Sequence, residues 1–561
     1  MLGLGLSLGL PMLRQRALES AITAAFSSSE PGAWYDPSDL STLFQDAAGT
    51  TPVTAVEQPV GRMLDKSKGL VLGPELVVSQ DLTTWTSGGA FGNWGSSTAT
   101  ASVLTSTSTS GSRYVRFACT PGTTITASAT GSIAGTATNA WLAIVFGTSG
   151  NVYTSEVQVL TTSTSPTQLR VIGTAPSNAA FCEIVVRVEG ASGSQATFTD
   201  VSAKELPGNH ATQATTTKRP VLSRRVNLMT KTEDFQNAAW LTPPSGVVKS
   251  NNAGTDPLGG GTAGKVECTQ AGVPIYVANS VTHLITGATY RVTVHIRNGV
   301  GVPSIILYNG QFGAYKSATI SLITGAVTGS NYTTPPVVSV SGDGFVSISA
   351  DIVAQDTTGN YCYVQSAGSN AVGDHFFIWH PSLTLVTDAH LPYQRVNTAT
   401  DYDADPNKFP AYLRFDGVDD ALQTGNIDFT STDKMTVWAG YSSESISTIQ
   451  YLATNSVPSG RFTLIHHQST SSQFESRGST GSGYAASPAI TGSHVLCGIG
   501  DISANSSVLR RGGVQVGQSA SIQGATTYAL APLIIGARSS GDLNFNGRLY
   551  SLIVRGAQTP L

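Results

Sequence analysis

In the stretch LRFDGVDDALQT three aspartates, Asp416, Asp419 and Asp420, fall within five positions. Clustered carboxylates can serve glycoside hydrolysis or gather around a hard cation, so chemistry is sought there first. Hydrolysis needs two carboxyl groups about 5–10 Å apart across the scissile bond. On a strand that means acids at i and i+2 or i+4 on one face. From residue 410 to 561 the only glutamates are Glu444 and Glu475, and no run alternates acids in that way. Asp416 stands directly before Gly417, a position where aspartate closes a tight turn. A calcium loop would need denser oxygen ligands than this segment supplies. The cluster is therefore expected to be structural, with no metal or cofactor assigned and calcium at the turn as the alternative. His466 and His467 are neighbours on a strand pattern and face opposite ways, so they cannot share one metal. A phosphate-cradling Gly-x-x-x-x-Gly-Lys-Ser is also absent. No catalytic residue is expected, and the chain reads as non-enzymatic.

Sugar binding asks for less: an exposed aromatic face on which a ring can stack, with amides beside it. Trp94, next to Asn93 in FGNWGSS, and Tyr484 in GSGYAAS stand among small polar residues. Asn544 and Asn546 flank Phe545 and add amides. These five residues are the candidate carbohydrate contacts. Trp85 and Trp240 occupy matching places in two segments and read as core.

The elements that must hold such residues are strands. Charged residues make up 12% of the 561, and Thr- and Val-rich runs alternate with Gly and Ser. β-Branched side chains fit a pleated surface, and long period-3.6 patterns are scarce, so the fold class is all-β. The length calls for three or four domains. A net charge of −4 with no basic block argues against a nucleic-acid partner. Five scattered cysteines form no Cys-x-x-Cys pair and read as free thiols of a protein made in a reducing cytoplasm. At the N-terminus, MLGLGLSLGLP places Leu2, Leu4, Leu6, Leu8 and Leu10 at alternate positions, with Arg14 and Arg16 following. That order is the reverse of a secretory signal, and a bilayer needs about 20 apolar residues, so membrane insertion is not expected. The run suits a strand that pairs with a partner's sheet edge, an anchoring arm over residues 1–30. Leu18, Ile22 and Phe26 then share one face of a short helix.

Two segments repeat one plan. GPELVVSQDLTTW and VNLMTKTEDFQNAAW open them, FTDVSAKEL and FFIWHPSLTLV close them, and alternating strands lie between. In YRVTVHIRNG, Tyr290, Val292, Val294 and Ile296 share one face, as do Cys182, Ile184, Val186 and Val188 in FCEIVVRVEG. One buried and one wet face marks a sheet of a sandwich. Both segments resemble the jelly-roll, carbohydrate-binding-module-like domains common in bacteriophage virion proteins. The region from about 410 resembles the concanavalin A-like, laminin-G-like sandwich. That likeness rests on Leu413, Phe415, Asp416, Gly417, Asp420, Ile535, Gly536, Phe545, Gly547 and Leu549. In phage proteins of this kind, WYDPSDLSTLFQDAAG…DKS runs directly into GNHATQAT and then RPVL, whereas here the run is interrupted twice.

The expected architecture is thus a split concanavalin A-like sandwich (31–67, 207–225 and 401–561) carrying two jelly-roll modules (70–206 and 226–400) in its loops. Chain ends of such modules lie close together and exposed loops tolerate insertion; four domains in a row is the alternative. The resemblance implies a virion structural protein of tail-fibre or tail-appendage type. It would be made in the bacterial cytoplasm, partnered by other virion proteins and host surface polysaccharide. By analogy it would form a homo-oligomer such as a trimer. Capsid decoration (a head-fibre protein) and glycan depolymerisation are the alternatives.

Overall fold

The structure is a computed structural model. It describes residues 22–26, 30–88, 94–243, 245–282, 284–311, 314–405, 408–444, 448–468, 471–490, 492–538 and 542–557, without the side chains of 465–468. The arm leucines Leu2 to Leu10, Leu18 and Asn93 lie outside the described residues.

The chain is all-β, built as sandwiches of antiparallel sheets. Residues 73–205 form two five-stranded sheets. The front sheet runs Tyr153–Thr161, Ala137–Gly147, Phe181–Gly190, Ser110–Ala118, Thr86–Ser87. The back sheet runs Thr167–Thr174, Thr124–Ala134, Gln195–Glu205, Val103–Ser106, Ser97–Ala99. Period-2 patterning fills the space between them: Cys182, Ile184, Val186 and Val188 meet Ile125, Leu169, Val171 and Phe198 in one core.

Residues 226–385 repeat this topology strand for strand, with one extra pair, Val327–Thr328 and Val337–Val340, at the sheet edges. The front sheet here runs Lys316–Ser321, Ser304–Gly310, Gly359–Ser366, Tyr276–Val281, Trp240–Leu241. In the back strand Thr289–Val300, Tyr290, Val292, Val294 and Ile296 are buried in strict alternation. The two matching tryptophans are also equivalent in space. Each is buried beside the first front strand, and its indole N–H donates to a loop carbonyl, Trp85 to Ser79 at 3.0 Å and Trp240 to Lys231 at 2.7 Å. A buried indole needs such a partner, which fixes how the chain enters each module.

In the third sandwich Gly32–Tyr35 pairs with Asn546–Arg555, Val221–Ser223 with Tyr412–Asp416, and Ala211–Thr212 lies between Arg62–Met63 and Leu422–Asp428. Tyr35, Leu43, Met63, Ala211, Leu222, Phe415, Phe462 and Leu552 share one core. Hydrogen bonds clamp the chain where it leaves and re-enters. The buried Asp65 carboxylate accepts from Trp34 N (2.8 Å), Ser67 N (2.8 Å) and Asn209 N (2.7 Å), while its own N–H donates to His210 Nδ1 at 2.9 Å. At the second crossing Gln394 binds Val226 N (2.7 Å) and Arg224 O (2.8 Å), and Arg224 pairs with Asp403 at 3.1 Å. The short helix is present over residues 22–25, and Ile22 and Phe26 pack on Trp34 and Ile553. No described helix is long and apolar enough to cross a membrane. The five cysteines are unpaired, four of them buried.

Candidate functional site

The outward residues of the first module's front sheet form a lattice set by its register. One row reads Glu156, Val145, Glu183, Arg116; the next Gln158, Ala143, Val185, Tyr114; the third Leu160, Trp141, Arg187, Ser112. Opposite residues in such rows bring their side chains into contact. Trp94 packs with Tyr114 on the strip formed by Ala143, Val145 and Val185. The Arg187 guanidinium lies 5.7 Å from the Trp94 ring centre and 5.9 Å from that of Trp141. Arg116 lies 4.0 Å from the Phe181 ring and donates to Glu183 Oε1 at 2.5 and 2.8 Å. Glu183 is fully buried, and burial raises its carboxyl pKa despite Arg116. Four polar atoms on this face are buried without a hydrogen-bond partner: Trp141 Nε1, Arg187 Nε, Glu183 Oε2 and Ser112 Oγ. Such atoms are uncommon, because each carries a desolvation cost.

The equivalent face of the second module carries tyrosines. Tyr363 lies centrally, with ring centres at 5.0 Å to Tyr308, 5.2 Å to Tyr276 and 5.7 Å to Tyr315. Tyr276, Tyr363 and Tyr308 come from three adjacent strands, so at ~4.8 Å strand spacing the platform runs about 10 Å across the sheet. All four rings are half-buried. Amides edge the platform: Asn360 donates to the Tyr315 hydroxyl at 3.0 Å, and the Tyr363 hydroxyl donates to Gln365 at 3.1 Å. Burial, then the neighbouring tyrosines, push the Tyr363 hydroxyl up to about 12. It stays a neutral donor.

The remaining residues singled out from sequence fall in the third sandwich and do not join either face. Tyr484 is 44% exposed on Ser482–Pro488, opposite Glu475, which is clamped by Arg461 at 2.6 and 3.0 Å. Asn544 donates to Val418 O and so ties the Asp416–Asp420 turn to the chain, while the Asn546 N–H donates to Gln450 at 3.0 Å. Asp416 caps that turn by accepting from Val418 N at 2.8 Å, with Gly417 at φ +75°. Carboxylate oxygens of Asp416, Asp419 and Asp420 lie within 4.8 Å of one another, the one such acidic trio among the described residues. Burial, then the charges of Asp416 and Asp419, push Asp420 up to about 7. Its Oδ2 accepts from Asp416 N at 3.0 Å, an internal bond of the turn.

Sequence reasoning missed Trp141, Arg187 and Glu183, and the whole tyrosine platform. The signal for Trp141 was there: in NAWLAIVFG, Leu142, Ile144 and Phe146 point inward, which leaves Trp141, Ala143 and Val145 as an apolar outward row.

No protein-family model matches the chain, and no curated protein matches it. Among solved structures it is similar to the tandem CBM22-1–CBM22-2 domain of Paenibacillus barcinonensis Xyn10C, at 9% identity and TM-score 0.25 over 56% of this chain and 98% of that one. Domains LG4-5 of the mouse laminin alpha1 chain align at 12% identity and TM-score 0.22, over 56% of this chain and 92% of that one. The CBM40 module of Ruminococcus gnavus IT-sialidase, bound to α2,3-sialyllactose, aligns at 15% identity and TM-score 0.20, over 25% and 92%. The all-β, multi-sandwich class of this chain stands on its own sheets and cores.

Proposed function

We propose that the chain is a non-enzymatic bacteriophage virion protein, of tail-fibre or tail-appendage type, that attaches to host surface glycans through its two jelly-roll modules. The observation that carries the glycan reading is the pair of equivalent front sheets, each with aromatic rings on its outward side. Aromatic faces edged by amides and carboxylates suit the apolar face and the hydroxyl rim of a sugar ring. In this reading the third sandwich, assembled from 31–67, 207–225 and 401–561, is the rigid base, and residues 1–30 anchor it to a tail or capsid subunit. Copies assemble as a homo-oligomer, so that weak sites act together. Support for the base comes from the strand pairings and the clamps around Asp65 and Gln394. The virion assignment rests on the resemblance of the sequence motifs to phage proteins.

Immunogold labelling of purified particles, together with competition of particle adsorption by the free chain, tests the reading. Label on the particle and adsorption blocked by added chain are expected. An unlabelled particle overturns the virion assignment, and oligosaccharide released from host capsule or lipopolysaccharide overturns the non-enzymatic one.

A further inference from the structure

The two front faces share a topology but not a chemistry. On the second, Tyr276, Tyr308, Tyr315 and Tyr363 are accompanied by Gln365, Asn360 and Ile306, and among the described residues no guanidinium lies over these four rings. Hydrogen bonding there is neutral, and the rings offer stacking surface. Where the second face pairs Tyr308 with Tyr363, and Ile306 with Gln365, the first pairs Trp141 with Arg187. The Trp141 indole N–H and the Arg187 Nε–H are both buried and both without an acceptor. They belong to directly opposed residues on neighbouring strands, so one acceptor group can serve both.

The Arg187 guanidinium lies near two indoles, 5.7 Å from the Trp94 ring centre and 5.9 Å from that of Trp141. One of its outer nitrogens already meets Glu189, which is held from its other oxygen by Asn139 at 2.9 Å. What is left over is a fixed cationic donor edge beside an indole donor. Charge-assisted bonds from a guanidinium to a carboxylate are about twice as strong as neutral ones. At the other end of the strip, four residues away along the strand (~13 Å at ~3.3 Å per residue), Glu183 Oε2 waits for a donor such as a hydroxyl. Ala143 and Val185 lie between, buried with Trp94 packed on them, so a sugar ring meets their apolar surface only where Trp94 gives way.

We infer that the first module's front face takes a carboxylated sugar, with the carboxylate on Trp141 Nε1–H and Arg187 Nε–H and a ring hydroxyl donated to Glu183, while the second module's tyrosine platform takes neutral sugars. The inference rests on the glycan-binding reading above and adds the ligand class of each face. One chain thereby reads two features of a host surface, and a polymer that carries both engages two sites at once. Because these atoms are covered in the free chain and Trp94 packs on the apolar strip between them, ligand entry is expected to displace the Trp94 ring and change tryptophan fluorescence.

The probes are uronic-acid-containing bacterial polysaccharides, each used as isolated and after carboxyl reduction, which turns the acid into the neutral hexose. Affinity is read by biolayer interferometry on the immobilised full-length chain. At least one polymer binds tenfold or more tightly before reduction than after. W141F, which keeps one aromatic ring but loses the indole N–H, cuts that ratio to below twofold, and R187Q does the same. Y308A with Y363A weakens both forms alike and leaves the ratio standing. Thermal melts of W141F against the parent chain establish that the face is still folded. If reduction changes no affinity, or if W141F and R187Q leave the ratio intact, the division of ligands is wrong while glycan binding stands. If no polymer binds in either form, the glycan reading falls and takes this inference with it.

Discussion

Acidification should loosen the point where the first module joins the third sandwich, and His210 sets the size of the effect. Its ring is almost wholly buried, with Nδ1 accepting the Asp65 N–H at 2.9 Å and the Nε2–H donating to Leu206 O at 3.1 Å. Only the neutral ring fits both contacts. Burial first, then the nearby Arg62 guanidinium, push its pKa down from 6.5 to about 4. An unfolded chain therefore binds a proton between pH 6.5 and 4 that the folded one refuses, and stability rises with pH through that window. The His210 contribution is complete above pH 6.5, smaller by about 2 kcal/mol at pH 5 and by about 3 kcal/mol at pH 4, from about 1.4 kcal/mol per pH unit of depression. Below pH 4 it changes no further. Asp65, whose carboxyl is raised by its burial, favours the folded chain in the opposite direction as pH falls. The comparison is therefore parent against H210Q, which keeps Asp65 and loses the titrating ring. Urea unfolding at pH 7.5, 5 and 4 should show the parent losing about 2 kcal/mol more than H210Q between pH 7.5 and 5. Parallel losses in the two proteins would refute the assignment of a neutral, non-titrating ring at this joint.

Other outcomes follow from the same structure. Replacing residues 69–207 with two glycines should leave the third sandwich folded and monodisperse by calorimetry and gel filtration, because Ser67 and Asn209 both bind the one Asp65 carboxylate; aggregation would show that the module is needed for that core. R548M should cost about 3–5 kcal/mol in urea unfolding, since Arg548 is buried against Asp388 at 3.3 Å and Glu444 at 3.1 Å and its loss strands both acids. D420N should raise the melting temperature at pH 8 and leave it unchanged at pH 4. A carboxyl raised to about 7 in the fold gives stability that is present below the ordinary aspartate range and lost as pH rises through 7. G536A should cost at least about 1 kcal/mol by the same assay, because Gly536 sits at φ +82° and a Cβ there would lie 2.3 Å from the Phe415 ring.

The sandwich class was legible because burial on one face writes itself into alternate residues. YRVTVHIRNG and FCEIVVRVEG needed no structure to be read as strands with one dry side. The duplication was legible from Trp85 and Trp240, since a large buried indole with a fixed partner tolerates little drift in position. The sites were less legible. Trp94 was found because it stands alone among small residues, but its neighbours Trp141 and Arg187 hide inside strand patterns where apolar residues are expected anyway. The tyrosine platform is assembled from residues 276, 308, 315 and 363, which only the order of the strands brings together. Asn544 and Asn546 read as surface amides, and the Asn544 amide also donates to Val418 in the turn at Asp416. A loop asparagine that binds ligand and one that binds its own backbone have the same sequence signature.

Isothermal titration of the full-length chain with bacterial surface polysaccharides is the most direct test of the glycan-binding faces. The parent chain is compared with a variant lacking one central ring of the first face and two of the second, W141A with Y308A and Y363A. Saturable binding by the parent and none by a folded triple variant is the expected result. Equal heats from the two proteins, or no binding by the parent to any of the polysaccharides tried, would contradict the claim that these two sheets are the glycan-binding surfaces.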